Sequence, residues 1–288
     1  MEGDKPLIKA GSMRAILFAV TFLVLIILAN KVTDKLIENI NPKNQNTGEI
    51  YNLSELFLPV RMIILLAISV LTVYFFQKKI DKQNLISQGF QLKNNLSHAV
   101  VGFALGLLLS GTGTFILIGN HNLQWTGIEY NTIALLTGFG VMVMVAFSEE
   151  LVFRGYILSN LLLSMNKWMA LIYSALIFTL FHISNPGINI LAIVNIFLAG
   201  LLLGINYIFT KNLWYSLLFH FAWNFYQGSI LGYKVSGISL QPLLAQQLTG
   251  QSIMTGGTFG FEGSVVTSVL TLISISLLAW TYTKRYEA

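Results

Sequence analysis

Glu149, Glu150 and Arg154 lie within six residues in an otherwise apolar stretch, Val141-Met-Val-Met-Val-Ala-Phe-Ser-Glu149-Glu150-Leu-Val-Phe-Arg154-Gly155. A charge at the centre of a bilayer costs roughly 2.5–3.5 kcal/mol even on the lenient insertion scale, so a chain that keeps three is expected to use them. Glu150 and Arg154 stand four apart, share a helix face and can pair. Glu149 points about 100° away and is left to face a cavity. This divides the labour: Glu149 for chemistry, Glu150 and Arg154 for its support. The bland alternative is a helix-packing ion pair with no reaction. It accounts for Glu150–Arg154 better than for the unpaired Glu149.

Partners follow downstream. His182 ends one apolar segment, four residues after Phe178. Taken alone, a histidine there reads as a hydrogen-bonded packing residue. Hairpin arithmetic changes the weighting. Glu149 lies 16 positions before Met165, and His182 lies 16 positions after Asn166. Antiparallel helices rising equally per residue put the two at one depth. His220 and Asn224, again four apart, project from one face of a later segment at a compatible depth. Singly they could be interhelical hydrogen-bonding glue. Together with Glu149 at one depth they read as a site.

A carboxylate beside a histidine can hold and deprotonate a water. A second histidine and an asparagine amide can donate to a developing oxyanion, which amounts to amide hydrolysis. The set Glu149, His182 and His220 could instead bind a divalent metal such as zinc with one position open. Other designs are missing: there is no H-E-x-x-H and no G-x-S-x-G elbow. Asp4, Asp34 and Asp81, the only aspartates, fall outside the apolar spans, against a two-aspartate protease. A proton-coupled transporter stays open as an alternative, because carboxylates and histidines also relay protons.

The elements that must position these residues are membrane helices. The 288 residues are 55% hydrophobic and only 10% charged, where a soluble domain carries about 25% charged residues. The fold class is therefore all-α and polytopic, one membrane domain over 1–288 with a catalytic core near 132–230. Spans of about 20 apolar residues are read at 13–29, 57–77, 97–118, 132–153 (running on to 164), 167–184, 188–210, 212–231 and 263–283. The first is a membrane helix and not a cleaved signal, since no A-x-A site follows it. Asn185-Pro186-Gly187 stops the fifth span. The glycine-rich run Thr255–Gly263 either caps the last helix or dips into the membrane.

With eight spans, 11 lysines and arginines fall on the side of the termini and four on the other. The positive-inside rule then puts both termini in the cytoplasm. The basic residues punctuate the ends of apolar runs and form no nucleic-acid patch. Cysteine is absent, which removes disulfides, thiolate ligands and a cysteine nucleophile.

At these motifs the chain resembles the CPBP family of intramembrane proteases, which includes the CAAX prenyl endopeptidases and the bacteriocin-immunity-type (Abi) proteins. The family's ordered trio stands here as Glu149-Glu150-Leu-Val-Phe-Arg154, Phe178-Thr-Leu-Phe-His182 and His220-Phe-Ala-Trp-Asn224. The resemblance covers about a third of the chain. It implies an eight-helix fold with the site inside the membrane. It further implies that Glu149 and His182 activate water, that His220 and Asn224 stabilise the oxyanion, and that Glu150 and Arg154 support them. The family is described both as metalloprotease and as metal-independent glutamate protease. The metal-independent form is favoured here, with no cofactor required, because Asn224 suits an oxyanion donor better than a metal ligand. Prenylated CAAX proteins are substrates of the eukaryotic branch. The Lys-, Asn- and Ile-rich composition looks like a low-GC bacterium, so the expected partner is a membrane-associated peptide or protein in a bacterial cytoplasmic membrane. The rival reading within the fold is a non-proteolytic scaffold, regulator or self-immunity protein. Oligomeric state is left open.

Overall fold

The computed structural model describes residues 5–40, 57–83, 89–93 and 95–287. Eight principal helices among them stand where the apolar runs stand. They are α1 Gly11–Ile40, α2 Leu58–Phe75, α3 Leu96–Gly119, α4 Thr132–Glu150, α5 Lys167–His182, α6 Ile190–Thr210, α7 Trp214–Phe225 and α8 Val265–Tyr286. Asparagine sets three of the starts. The side chains of Asn131, Asn166 and Asn189 accept from the backbone N–H three residues on, satisfying a donor that has no partner inside the helix.

Among the described residues, six helical segments are long and apolar enough to cross a membrane, by length and composition. α5 with 16 residues and α7 with 12 fall short of the about 20 that a full crossing takes. These are two of the eight expected spans, and they carry His182, His220 and Asn224. α5 stops at the turn containing Pro186. α7 passes directly from Phe225 into the π-helical turn Tyr226–Ile230. α1 runs to Ile40, well past residue 29, because Asn30–Ile40 is polar yet helix-compatible. The rest of the polar interval 30–56 lies outside the described residues.

Each short helix is held by a longer one through a small-residue stripe. In α3, a Cβ at Gly102 would collide with the Tyr215 carbonyl, and one at Gly106 would lie 2.8 Å from the Phe219 carbonyl. In α6, a Cβ at Gly200 would lie 2.9 Å from Ala175, and one at Gly204 2.5 Å from a Leu171 methyl. Both pairs have G-x-x-x-G spacing, which lets helix backbones approach closely in a bilayer. Thus α3 seats α7, and α6 seats α5.

The start of α1 and the end of α8 both lie beside the α4–α5 turn. Gly11 abuts the Asn160 carbonyl, and Lys167 pairs with Glu287. At this end Asp81 closes the π-helical extension of α2, Phe76–Asp81. The sequence reading placed Asp81 outside the spans. It is buried instead, because Arg14 Nη1 at 3.0 Å and the Tyr156 hydroxyl at 3.1 Å both donate to its Oδ1.

The opposite end carries the main departure from an all-helical chain. β1 Leu123–Ile128 pairs antiparallel with β2 Leu244–Leu248, with a bulge between Trp125 and Gly127. The partners are more than a hundred residues apart, so no local pattern reveals the pairing. The glycine-rich run packs inward: Phe259 and Phe261 have no exposure, and Ser264 caps α8 by accepting from Thr267 N–H at 3.1 Å.

Candidate active site

Glu149 and Glu150 are the last two α-helical residues of α4. From Leu151 to Leu158 the chain is π-helical, and all eight residues are buried. Such single wide turns recur at functional sites. Side chains tie down the carbonyls this segment presents: Ser174 Oγ donates to Phe153 O, and Ser159 Oγ donates to Gly155 O and Tyr156 O. The other site helix changes in the same way just after Asn224-Phe225.

The sealed half of the site is built on Glu150. Arg154 Nη1 donates to Glu150 Oε1 at 2.9 Å, and the two side chains are 1% and 0% exposed. Arg154 Nη2 donates to the Gly200 carbonyl at 3.1 Å. The guanidinium also lies over the Phe178 ring, 4.6 Å from its centroid, a contact worth about 2 kcal/mol when desolvated. His220 Nδ1 lies 2.8 Å from the same Glu150 Oε1. An ionised carboxylate only accepts, so this nitrogen carries the proton.

The accessible half is built on Glu149, whose side chain is 19% exposed, with His182 at 13%. Glu149 Oε2 lies 3.6 Å from His182 Nε2 and 3.8 Å from His220 Nε2. Both distances are beyond direct hydrogen bonding and within reach of a shared water. His182 Nδ1 sits 2.8 Å from the Phe178 carbonyl, which can only accept. In both rings the proton therefore sits on Nδ1 and Nε2 faces Glu149, as a lone pair when the ring is neutral and as an N–H donor when it is an imidazolium. This explains the Phe-x-x-x-His motif: the Phe178 carbonyl fixes the imidazole of His182, and its ring supports Arg154.

The structure thus brings Glu149, His182 and His220 together, and it places Glu150 and Arg154 behind them. Asn224, 4% exposed, lies one turn after His220 on α7. Among the described residues its side chain makes no hydrogen bond. The Glu150–His220 bond, which joins the first motif to the third, was missed by sequence reasoning. Seventy positions separate the two, and only the shared depth hinted at it.

A zinc site holds its donors at about 2.0–2.2 Å from one point. Among the described residues no group of three His, Cys, Asp or Glu side chains is arranged to hold a metal ion. Glu149, His182 and His220, the set the sequence offers for one, are neighbours without forming such a group.

Residues 131–226 match the family model described as type II CAAX prenyl endopeptidase Rce1-like. The match covers a third of the chain, contains every residue of the three motifs, and is consistent with the CPBP family. By that description the segment is similar to intramembrane endopeptidases, which implies protease activity. With six helices among the described residues long and apolar enough to cross a membrane, two of them inside the matched segment, the chain is an integral membrane protein. No curated protein and no solved structure matches the chain.

Proposed function

We propose that this protein is an intramembrane endopeptidase that hydrolyses a peptide bond of a membrane-associated peptide or protein. Glu149 is its general base, His182 helps to activate the water, and His220 and Asn224 are the oxyanion donors. The observation that carries this reading is the convergence of two histidine Nε2 atoms on one Glu149 oxygen while both Nδ1 atoms are committed elsewhere.

A water bound at Glu149 and His182 gives a proton to the Glu149 carboxylate as its oxygen adds to the substrate carbonyl carbon. The carbonyl electron pair moves onto oxygen, which accepts hydrogen bonds from the Asn224 amide and from His220 Nε2–H. Because Nδ1–H of His220 is held by Glu150, donation through Nε2 uses the imidazolium form. Collapse of the tetrahedral intermediate breaks the C–N bond, and the proton on Glu149 passes to the leaving amine. No step uses a metal, so cleavage is expected to survive exhaustive chelation.

The chain sits in a bacterial cytoplasmic membrane with both termini and the α4–α5 turn on the cytoplasmic side. The placing of Lys167 and Lys211 at that end supports this orientation. The test is cleavage of membrane-tethered peptides, farnesylated CAAX peptides among them, by purified protein in liposomes. Products from the wild type and none from Glu149→Ala support the reading. A scaffold, an immunity protein without protease activity or a transporter yields no products from either. Loss of cleavage on chelation, with about one equivalent of tightly bound zinc, would overturn the metal-free mechanism and leave the endopeptidase reading standing.

A further inference from the structure

Glu262 lies outside the matched segment and outside the residues assigned so far. It sits in the short turn Phe261–Gly263 just before α8. Its carboxylate accepts four hydrogen bonds. Oε1 takes Trp223 Nε1 at 2.8 Å and Gln227 Nε2 at 3.4 Å. Oε2 takes the Ser236 backbone N–H at 2.7 Å and the Ser236 hydroxyl at 2.8 Å. Its backbone carbonyl accepts from Asn195 Nδ2 at 2.7 Å. Among the described residues no cation pairs with it. Tying a loop to two helices needs no charge, and removing a carboxylate from water costs several kcal/mol. A charged acceptor does make bonds about twice as strong as a neutral one, and one of the short ties here, at 2.8 Å, goes to an indole inside the site helix.

Trp223 immediately precedes Asn224 and follows His220 by three. Its side chain stacks on Phe219, at 6.0 Å and 14°, and meets Phe261 in a tilted contact, at 6.0 Å and 36°. Fixing the indole at its N–H fixes the rotation of α7 at the turn that presents both residues. This is also where the helix is about to widen at Tyr226. Two further ties act on the other site helices. Asn195 lies on α6, five residues before Gly200, whose carbonyl holds Arg154. The turn after His182 is gripped directly. Gly187, at φ +73°, faces Thr258, and Gly237, at φ +83°, faces the Pro186 carbonyl. Side chains are strained in that region of φ and would meet backbone there.

We infer that Glu262 is a positioning residue of the peptidase. It holds Trp223 so that α7 aims His220 and Asn224 at Glu149, and with Tyr233–Gly263 it clamps the sheet end of the site. This rests on the proposed endopeptidase reading, and the experiment separates the two. Glu262→Gln replaces one acceptor by a donor, and Trp223→Phe keeps the ring packing but deletes the N–H. In 15N-labelled protein the Trp223 indole signal should move in Glu262→Gln, and the Asn224 side-chain amide signal should move in both variants. The cleavage rate should fall about 10²-fold, the cost of roughly 1 Å of misplacement, with kcat falling and KM held within about twofold. An unmoved Asn224 signal with unchanged kcat would overturn the inference and leave Glu262 as a loop anchor. If the wild type cleaves nothing, the endopeptidase reading fails by itself. The Asn224 signal then decides this one: moved supports positioning, unmoved refutes it. Should Glu262→Gln fail to fold, Trp223→Phe carries the same two readouts.

Discussion

Glu150 has a guanidinium nitrogen at 2.9 Å, an imidazole nitrogen at 2.8 Å and no exposure. Glu149, one residue earlier, has only two ring nitrogens at 3.6 and 3.8 Å, and its side chain is 19% exposed. The rotation of about 100° per helical residue gives two identical side chains opposite surroundings. One is turned into α6 and α7, where Arg154 offsets its charge. The other is turned toward the Nε2 atoms of His182 and His220. Among the described residues its Oε2 makes no hydrogen bond, so it is left to hold a water or a substrate. That is the state of a base before it acts, whereas Glu150 is spoken for.

The largest effect should follow from disturbing the accessible side. Glu149→Gln preserves shape but cannot take up a proton, and cleavage should fall roughly 10²–10⁴-fold. Its melting temperature should stay close to wild type, because no ion pair with Arg154 is lost. On the sealed side, Arg154→Ala leaves Glu150 buried and uncompensated, which typically costs about 3–5 kcal/mol. Folded yield and thermal stability in detergent should drop with activity. Full stability with no activity would give Arg154 a direct role and erase the division between the two glutamates.

Asn224→Ala should lose roughly 10²–10³ in rate, the usual cost of one oxyanion donor. Asn224→Asp sharpens this, since a carboxylate would repel an oxyanion but could serve a metal. An aspartate variant as active as wild type would count against the oxyanion assignment. The smallest effect is expected at Ser174→Ala, which removes the 3.2 Å bond to Phe153 O. A neutral hydrogen bond contributes about 0.5–1.5 kcal/mol, visible as a lowered melting temperature at nearly full rate.

Much of the site is readable from spacing. Glu150–Arg154 follows from i,i+4, and the approach of Glu149 to His182 follows from equal counts on either side of Met165-Asn166. Both are local helix geometry. What spacing did not reveal is carried by contacts between distant segments: Glu150 to His220, Arg154 to the Gly200 carbonyl, and Glu262 to Trp223. The strand pair Leu123–Ile128 with Leu244–Leu248 belongs to the same class. Hydropathy located the helices but misjudged their reach. α1 stays helical through Asn30–Ile40 because charge ends a span and not a helix. α5 and α7 read as full spans although each is cut short beside the site. The stripes Gly102-x-x-x-Gly106 and Gly200-x-x-x-Gly204 were present in the sequence and name the helices that seat them.

The most direct test measures both sides together: cleavage rate per folded molecule and melting temperature for Glu149→Gln and Arg154→Ala, purified side by side in one lipid mixture. The two readouts should separate, with Glu149→Gln near background in rate at an unchanged melting temperature and Arg154→Ala losing melting temperature by several degrees or more. A Glu149→Gln protein that retains above about a tenth of the wild-type rate would contradict the account, since a general base contributes roughly 10²–10⁴-fold.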